Sequence, residues 1–280
     1  MTNDDTSSHV EPGMHLDFSD RMSYGDYLRL DTLMAAQLPL SEKPDEILFI
    51  IVHQVQELWM SLIIHELNFA MRSLRQDNTG MTFKALARIS RTQEQLVSAW
   101  DVLSTMTPAD YLSFRDRLGG ASGFQSHQYR MMEILLGMRD ARMLAPHKHR
   151  QEIYSQLLQA FGARSIYDEA IAFLKRQGFN VPDELLNRDF TIPHRYNEAL
   201  SNIWLEVYRS SQKHFEAYQL AEELVDVEDW FQQWRFRHMK TVHRIIGNKT
   251  GTGGSSGVSY LKTALDRTFF PELWDVRTRL

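Results

Sequence analysis

The stretch from Asp45 to about Arg75 restricts the fold more than any other part of the sequence. Its apolar residues recur at helical spacing and occupy nearly every face of the helix that this spacing predicts. A helix that is apolar all round needs other elements around it, so we expect it at the centre of a bundle. The two-residue alternation typical of half-buried strands is not sustained anywhere in the sequence. The sequence therefore predicts an all-α, single-domain helical bundle with long central helices.

Other helical patterns divide the rest of the chain. Residues 1–18 lack apolar periodicity and are predicted to form a disordered N-terminal arm, so the folded domain is expected to span residues 19–280. The stretch 183–193 is expected to be irregular, and the last helix is expected to end before Pro271. Helices are predicted over residues 81–104, 109–118, 124–142, 151–162, 165–177, 195–224, 226–246 and 258–269.

The composition excludes several classes of function. The chain has 31 basic and 36 acidic residues without a polybasic segment, which argues against nucleic acid and an anionic membrane surface as partners. The longest apolar run, 47–52, is too short to span a bilayer, and the polar first residues do not form a secretory signal, so a soluble cytoplasmic protein is expected. The absence of cysteine excludes disulfides, thiolate nucleophiles and iron–sulfur clusters.

The segment 226–257 combines a histidine on an apolar helix face with a glycine-rich loop. Steps of three and four residues from His238 reach Phe231, Trp234 and Ile245. The loop 247–257 follows directly, and its glycines allow the backbone to approach a ligand closely. The other side of the helix carries four basic residues and is expected to face water or an anion: Arg235, Arg237, Lys240 and Arg244.

His238 has two interpretations. A lone histidine on an apolar face is more often a hydrogen-bonded core residue than a ligand. His243 lies about 140° away around the helix, so the two histidines cannot bind one metal ion from this helix. If His238 is a ligand, it acts alone among nearby side chains, and a single protein ligand completed by a macrocycle is the arrangement of haem.

Two further polar side chains are candidates for a binding site. His53 lies within the very apolar helix, either as a core histidine paired with Glu57 or as a polar group pointing into a cavity. Arg115 shares a helix face with Tyr111 and is either solvated or available to bind a carboxylate through two parallel hydrogen bonds. The small residues 119–123 precede a predicted helix start, where backbone N–H groups can bind an anion.

Several known site motifs are absent from the sequence. No glutamate is followed three residues later by histidine, which argues against a di-iron carboxylate bundle. The His-Glu-x-x-His motif of zinc proteases does not occur, and the glycine-rich loop lacks the Gly-Lys-Ser/Thr ending of a nucleotide-binding P-loop. Three kinds of candidate remain. They are one possible histidine ligand, His238, a cavity with one polar group, His53, and two possible anion-binding places, Arg115 and the loop 247–257.

Four blocks in this order, 49–59, 111–126, His238 and 251–257, together resemble the tryptophan 2,3-dioxygenase family of bacteria. The resemblance extends from about Tyr24 to the carboxyl end. It implies an all-helical homotetramer with one haem b per subunit, placed in a pocket of the bundle. It also implies an enzyme that cleaves the indole C2–C3 bond of L-tryptophan with O2, which gives N-formyl-L-kynurenine and begins tryptophan degradation by the kynurenine pathway.

The same resemblance implies roles for individual residues. His238 would be the proximal ligand of the haem iron, and His53 the distal catalytic residue that hydrogen-bonds the indole nitrogen. Arg115 would hold the substrate carboxylate, and Thr252 would bind the amino-acid end. Four residues would line the pocket: Phe49, Tyr111, Leu118 and Ser122. Three residues would enter the active site of a neighbouring subunit: Tyr24, Tyr27 and Leu28.

Two other functions remain compatible with these residues. A haem-based oxygen sensor or carrier would need no group to hold a carboxylate, so replacing Arg115 would leave its ligand chemistry intact. A helical interaction scaffold with hydrogen-bonded core histidines would purify without colour even when haem is supplied.

Overall fold

The computed structural model describes residues 11–280, so residues 1–10 of the predicted arm lie outside the described part of the chain. Between residues 11 and 280 the chain forms helices and no β-strand, which confirms the predicted all-α class. Short 3₁₀ segments cover Arg115–Leu118, Gly123–Gln125 and Ala141–His147. The α-helices are α1 (Tyr24–Leu28), α2 (Leu30–Met34), α3 (Pro44–Arg75), α4 (Thr79–Leu103), α5 (Pro108–Phe114), α6 (His127–Leu136), α7 (Gln151–Phe161), α8 (Ile166–Arg176), α9 (Asp183–Leu186), α10 (Glu198–Arg209), α11 (Phe215–Ile246), α12 (Val258–Leu265) and α13 (Pro271–Arg279).

The chain separates into two compact units, the first ending at Leu40 and the second running from Ser41 to Leu280. The first unit contains the short helices α1 and α2. Ser23 and Asp26 begin α1 with a reciprocal capping box, in which each side chain bonds the backbone N–H of the other residue. The predicted boundary between an arm and a domain at residue 18 stays a prediction.

The core of the second unit is built on α3, α4 and α11. Helix α4 packs along both α3 and α11, and α6 packs on α3. Side chains of α3 that face this core, such as Met60, Ile63 and Leu67, are almost fully buried. The prediction of a long helix over residues 45–75 is confirmed, and it begins one residue earlier because proline is favoured in the first turn.

One face of α3 is apolar and exposed, so the expectation that the whole helix is surrounded is wrong for this face. Its four large side chains are 37–54% exposed: Ile47, Ile51, Val55 and Leu58. Within residues 11–280, α3 is the one helix long and apolar enough to cross a bilayer by length and composition alone. Core helices of water-soluble proteins also meet that test, and the other face of α3 packs into the core.

The end of the chain differs from the prediction in two places. The predicted helices 195–224 and 226–246 are divided elsewhere, because the chain leaves helical geometry after Arg209 and α11 then runs without interruption from Phe215. The predicted end before Pro271 is correct for α12, but a further helix, α13, begins at Pro271. Glu228 of α11 connects α11 to α13, because its buried carboxylate accepts hydrogen bonds from the backbone N–H groups of Phe269 and Phe270 and from Trp274 Nε1.

Candidate functional site

A cavity of about 250 Å³ lies among α3, α4, α6, α11, α12 and the glycine-rich loop 247–257. Most of its wall is aromatic or aliphatic, and both histidines singled out from the sequence line it, His53 from α3 and His238 from α11. Both histidine side chains reach a cavity, and neither is enclosed in a filled core. For each histidine this favours a role in binding over that of a core residue. A mostly apolar cavity with a few convergent polar groups is typical of a small-molecule site.

His238 packs against two tryptophans, which also contact each other. Its ring stacks on Trp100 at a centroid distance of 4.6 Å and an interplanar angle of 14°, and Trp234 lies 5.3 Å away. Burial lowers the pKa of His238 to about 4, with a smaller contribution from the charge of His53. The imidazole is therefore neutral at pH 7 and has a nitrogen lone pair available for a metal ion.

His53 has one ring nitrogen occupied and one free. Its Nδ1 lies 2.7 Å from the carbonyl oxygen of Phe49, and a carbonyl can only accept, so Nδ1 carries the proton. In the neutral ring Nε2 is then a hydrogen-bond acceptor. Burial lowers the pKa of His53 below 6.5, although the bond to Phe49 and the charge of Glu57 oppose this shift. His53 therefore offers an acceptor, not a positive charge.

Aromatic side chains pack beside His53. Phe49 lies 4.1 Å from the His53 ring, 5.9 Å from Tyr111 and 5.8 Å from Phe114, measured between ring centroids. Burial raises the pKa of Tyr111, and the nearby charge of Arg115 opposes the shift. Phe49 and Tyr111 both line the cavity, which fits a flat apolar ligand.

The glycine-rich loop covers one side of the cavity and is held there by two hydrogen bonds. Thr252 Oγ1 donates to the carbonyl of Ala121 at 2.6 Å, and Arg115 Nη2 donates to the carbonyl of Thr250 at 2.6 Å. At Gly253 the backbone passes so close to Ser122 that an added Cβ would lie 2.8 Å from the Ser122 Cβ. Glycine is therefore required at this position by close approach of two chain segments.

The structure brings together most, but not all, of the residues predicted for the site. His53, His238, Phe49, Tyr111, Ser122 and Thr252 line the cavity. Arg115 and Leu118 are half-buried next to this group, without contributing to the lining. Tyr24, Tyr27 and Leu28 lie on α1 in the first unit, where they are 75%, 74% and 40% exposed.

A cluster of three buried charged side chains, Arg130, Glu133 and Arg235, also lines the cavity and was not predicted. Glu133 accepts hydrogen bonds from Arg130 Nη1 and, at 3.0 Å, from Arg235 Nη2. Of the two expected surroundings of Arg235, water or an anion, the structure shows an anion, the Glu133 carboxylate. Arg235 points inward because Glu133 provides an opposite charge there. We call these three residues the inner charged cluster.

Arg235 also joins α11 to the far end of α12. Its Nη1 donates to the carbonyls of Ala264 and Arg267 at 3.1 Å each, and Gln232 of α11 donates to the same Arg267 carbonyl. The loop 247–257 runs between the end of α11 and the start of α12. Both helices that flank the loop are thus fixed to each other.

Among the described residues, no three His, Cys, Asp or Glu side chains come together to hold a metal ion. A metal ion at this site would therefore need donors from another molecule in addition to a histidine of the cavity wall. The helical spacing around His238 places Trp234 on the apolar face, whereas Trp100 and Tyr129, which also line the cavity, are not among the residues predicted from the sequence. Sequence periodicity could not distinguish cavity lining from ordinary core packing, because both produce the same spacing.

Comparisons with known proteins agree with the resemblance seen in the sequence. The family model described as tryptophan 2,3-dioxygenase matches residues 9–162 and 187–280. A protein of that name from Bacillus thuringiensis subsp. konkukian is 54% identical over 271 residues, which cover 97% of each chain. Those from Shewanella woodyi and Burkholderia cenocepacia are 51% and 56% identical, covering 97% of this chain and 95% and 88% of their own lengths.

Proposed function

This chain belongs to the tryptophan 2,3-dioxygenase family, and we propose that its cavity binds one haem b per subunit, with His238 as the proximal iron ligand. The reaction of the family, and hence of this chain, is oxidation of L-tryptophan by O2. Cleavage of the indole C2–C3 bond with insertion of both oxygen atoms gives N-formyl-L-kynurenine, the first step of tryptophan degradation.

The residues around His238 suit a haem. The observation that carries the proposal is a neutral imidazole on the wall of an apolar cavity, with a second histidine, His53, supplied by another helix. The flat rings of Trp100 and Trp234 provide the apolar surface that a macrocycle needs. When bound, haem supplies the redox chemistry by which O2 reacts with the indole ring.

We assign to His53 the task of positioning the indole ring. Its Nδ1–H is already bonded to the Phe49 carbonyl, so Nε2 is the nitrogen that can accept the indole N–H. Phe49 and Tyr111 would enclose the ring and exclude water from it. Because burial keeps His53 neutral, the cavity wall around the reacting carbon atoms presents no cationic proton donor from this residue.

The amino-acid end of the substrate is proposed to bind at the glycine-rich loop. Arg115 would exchange its bond to the Thr250 carbonyl for the substrate carboxylate, since a carboxylate can accept two parallel hydrogen bonds from a guanidinium and carries the opposite charge. Thr252 and Ser122 would bind the same end from the lining of the cavity, and Leu118 would pack beside it. This arrangement selects free L-tryptophan over indole.

A homotetramer in the cytoplasm is the proposed assembly. Two features support contacts with other subunits: the exposed aromatic side chains of α1, and the exposed apolar face of α3 defined above. Covering that face would remove its apolar surface from water. We propose that Tyr24, Tyr27 and Leu28 of each subunit complete the indole pocket of a neighbour. A net charge of −5 supports neither nucleic acid nor a membrane surface as a partner.

The test is the absorption spectrum of the reduced, haem-reconstituted protein before and after addition of L-tryptophan, followed by exposure to air. We expect a haem band that tryptophan shifts, then growth of N-formylkynurenine absorbance over many turnovers. His238→Ala should lose stable haem binding, whereas the control His243→Ala, an exposed histidine on the same helix, should keep it. A normal haem band in His238→Ala would refute the ligand assignment. A band indifferent to tryptophan would favour an oxygen sensor or carrier.

A further inference from the structure

The inner charged cluster carries an uncompensated positive charge. Arg130, Glu133 and Arg235 are 6%, 3% and 3% exposed, and two cations share one anion. An excess charge held away from water is costly unless an opposite charge joins it. The cluster therefore has the electrostatic character of an anion site.

Arg130 and Arg235 differ in how many of their donors are used. Arg235 bonds Glu133, two backbone carbonyls and, at 3.4 Å, the hydroxyl of Tyr129. Arg130 bonds Glu133 alone, and its Nε is buried with no hydrogen-bond partner among the described residues. A guanidinium has five N–H donors, and burying it with most of these donors unpaired is unfavourable. Arg130 is thus the residue with free capacity.

The remaining charged groups of the cavity do not cancel this excess. Glu57 accepts a hydrogen bond from Gln128, and Arg267 adds a further positive charge to the lining. The lining therefore contains more arginine than glutamate: Arg130, Arg235 and Arg267 against Glu57 and Glu133.

The cluster is close to the proposed iron ligand. Arg235 precedes His238 by three residues, which is about 4.5 Å along the axis of α11. Haem b carries two carboxylate groups on one edge of its macrocycle. The other carboxylate of the complex, that of tryptophan, has its own candidate partner in Arg115, which is tied to the glycine-rich loop.

We propose that Arg130 binds a carboxylate of haem b, and that Glu133 and Arg235 hold the Arg130 guanidinium in position to do so. This inference rests on the proposed haem site and adds the residue that recognises the edge of the cofactor. The site then neutralises the excess charge of the cluster at the moment the cofactor enters.

The experiment compares haem b with its dimethyl ester, in which both carboxylates are blocked. Wild type and Arg130→Met are reconstituted with each, and the rate of release to an excess of a haem-scavenging globin is followed through the Soret band. We expect wild type to release the ester about ten- to a hundredfold faster than haem b, equivalent to about 1.4 to 2.8 kcal/mol. Arg130→Met should release both at similar, fast rates, and Arg130→Lys should fall between.

A matched control is Arg188→Met, which removes an arginine bonded to the buried carboxylate of Asp168 at 2.7 Å, away from the cavity lining. It should keep the wild-type ratio of release rates. Equal rates for haem and ester in wild type would overturn the inference and leave the haem proposal intact. Retention of the wild-type ratio in Arg130→Met would also overturn it.

Two further outcomes distinguish this inference from binding of the substrate carboxylate and from failure of the haem proposal. Weaker L-tryptophan binding in Arg130→Met with unchanged haem release would show that the cluster binds the substrate carboxylate, and would refute the inference. Failure of wild type to bind either form of haem would refute the proposed cofactor and this inference together.

Discussion

Replacing Glu228 by glutamine should loosen the attachment of the last helix to the core. The Glu228 carboxylate is fully buried and accepts three hydrogen bonds, at 2.5 Å from Phe269 N, 3.0 Å from Phe270 N and 2.9 Å from Trp274 Nε1. Glutamine has the same shape but one oxygen instead of two. Its amide nitrogen must therefore face at least one of these three donors.

The magnitude follows from counting the bonds. With its oxygen in the position that serves two donors, glutamine still loses one bond to a charged acceptor, which costs about 1.5 to 3 kcal/mol. The two remaining bonds become weaker because the acceptor is no longer charged. Burying a neutral amide costs less than burying a carboxylate, and this offsets part of the loss. We expect the free energy of unfolding to fall by about 2 to 4 kcal/mol.

Urea denaturation followed by helical circular dichroism, at one protein concentration and one haem loading, measures this change. The control is Glu206→Gln, since the Glu206 side chain is 58% exposed and should change stability by less than about 0.5 kcal/mol. A loss below about 1 kcal/mol for Glu228→Gln would refute the reasoning that three donors need a carboxylate.

Three further predictions concern the site. Thr252→Val should lose the bond to Ala121, so the loop 247–257 should exchange amide hydrogens roughly two- to tenfold faster without substrate, and unchanged exchange would contradict this. Gly253→Ala should raise KM for L-tryptophan because the new Cβ would collide with Ser122. The control Gly120→Ala should leave KM unchanged, since no atom lies within 4 Å of the added Cβ. Equal KM values for the two variants would count against the close approach. Because the pKa of His53 is lowered, its ring stays neutral as pH falls from 8 to 6.5, and turnover should be level over that range; a fall centred near 6.5 that His53→Ala abolishes would show a normal pKa.

Local periodicity is sufficient to predict the long helices. It is not sufficient to predict a helix boundary that depends on one residue. The pattern of α3 is carried by the spacing of its own apolar side chains, so its extent was predicted to within one residue. The break between α10 and α11 was displaced because apolar residues at helical spacing continue on both sides of residues 210–214. The sequence predicts that the last helix ends before Pro271, whereas proline in a first turn also begins a helix, here α13.

The histidines of the site were found from the sequence and the inner charged cluster was not, for a physical reason. His53 and His238 stand out because each is a polar residue on an apolar face of its own helix. The burial of Arg235 depends on Glu133, which lies 102 residues away in the chain. Spacing within one helix contains no information on such a partner, so the sequence leaves both water and an anion open as the surroundings of Arg235.

The bonds from Arg235 and Gln232 to the end of α12 make the glycine-rich loop a bridge with two anchored ends. Both ends of this segment are held at a fixed distance from each other. The segment therefore has less conformational entropy than an unattached arm, even before substrate binds. The entropy lost on covering the substrate is therefore smaller, and opening can remain local to residues 247–257. Doubling the length of such a segment would add only about 0.6 kcal/mol of closure cost. Lengthening this loop would therefore have little effect on the stability of the helices that it joins.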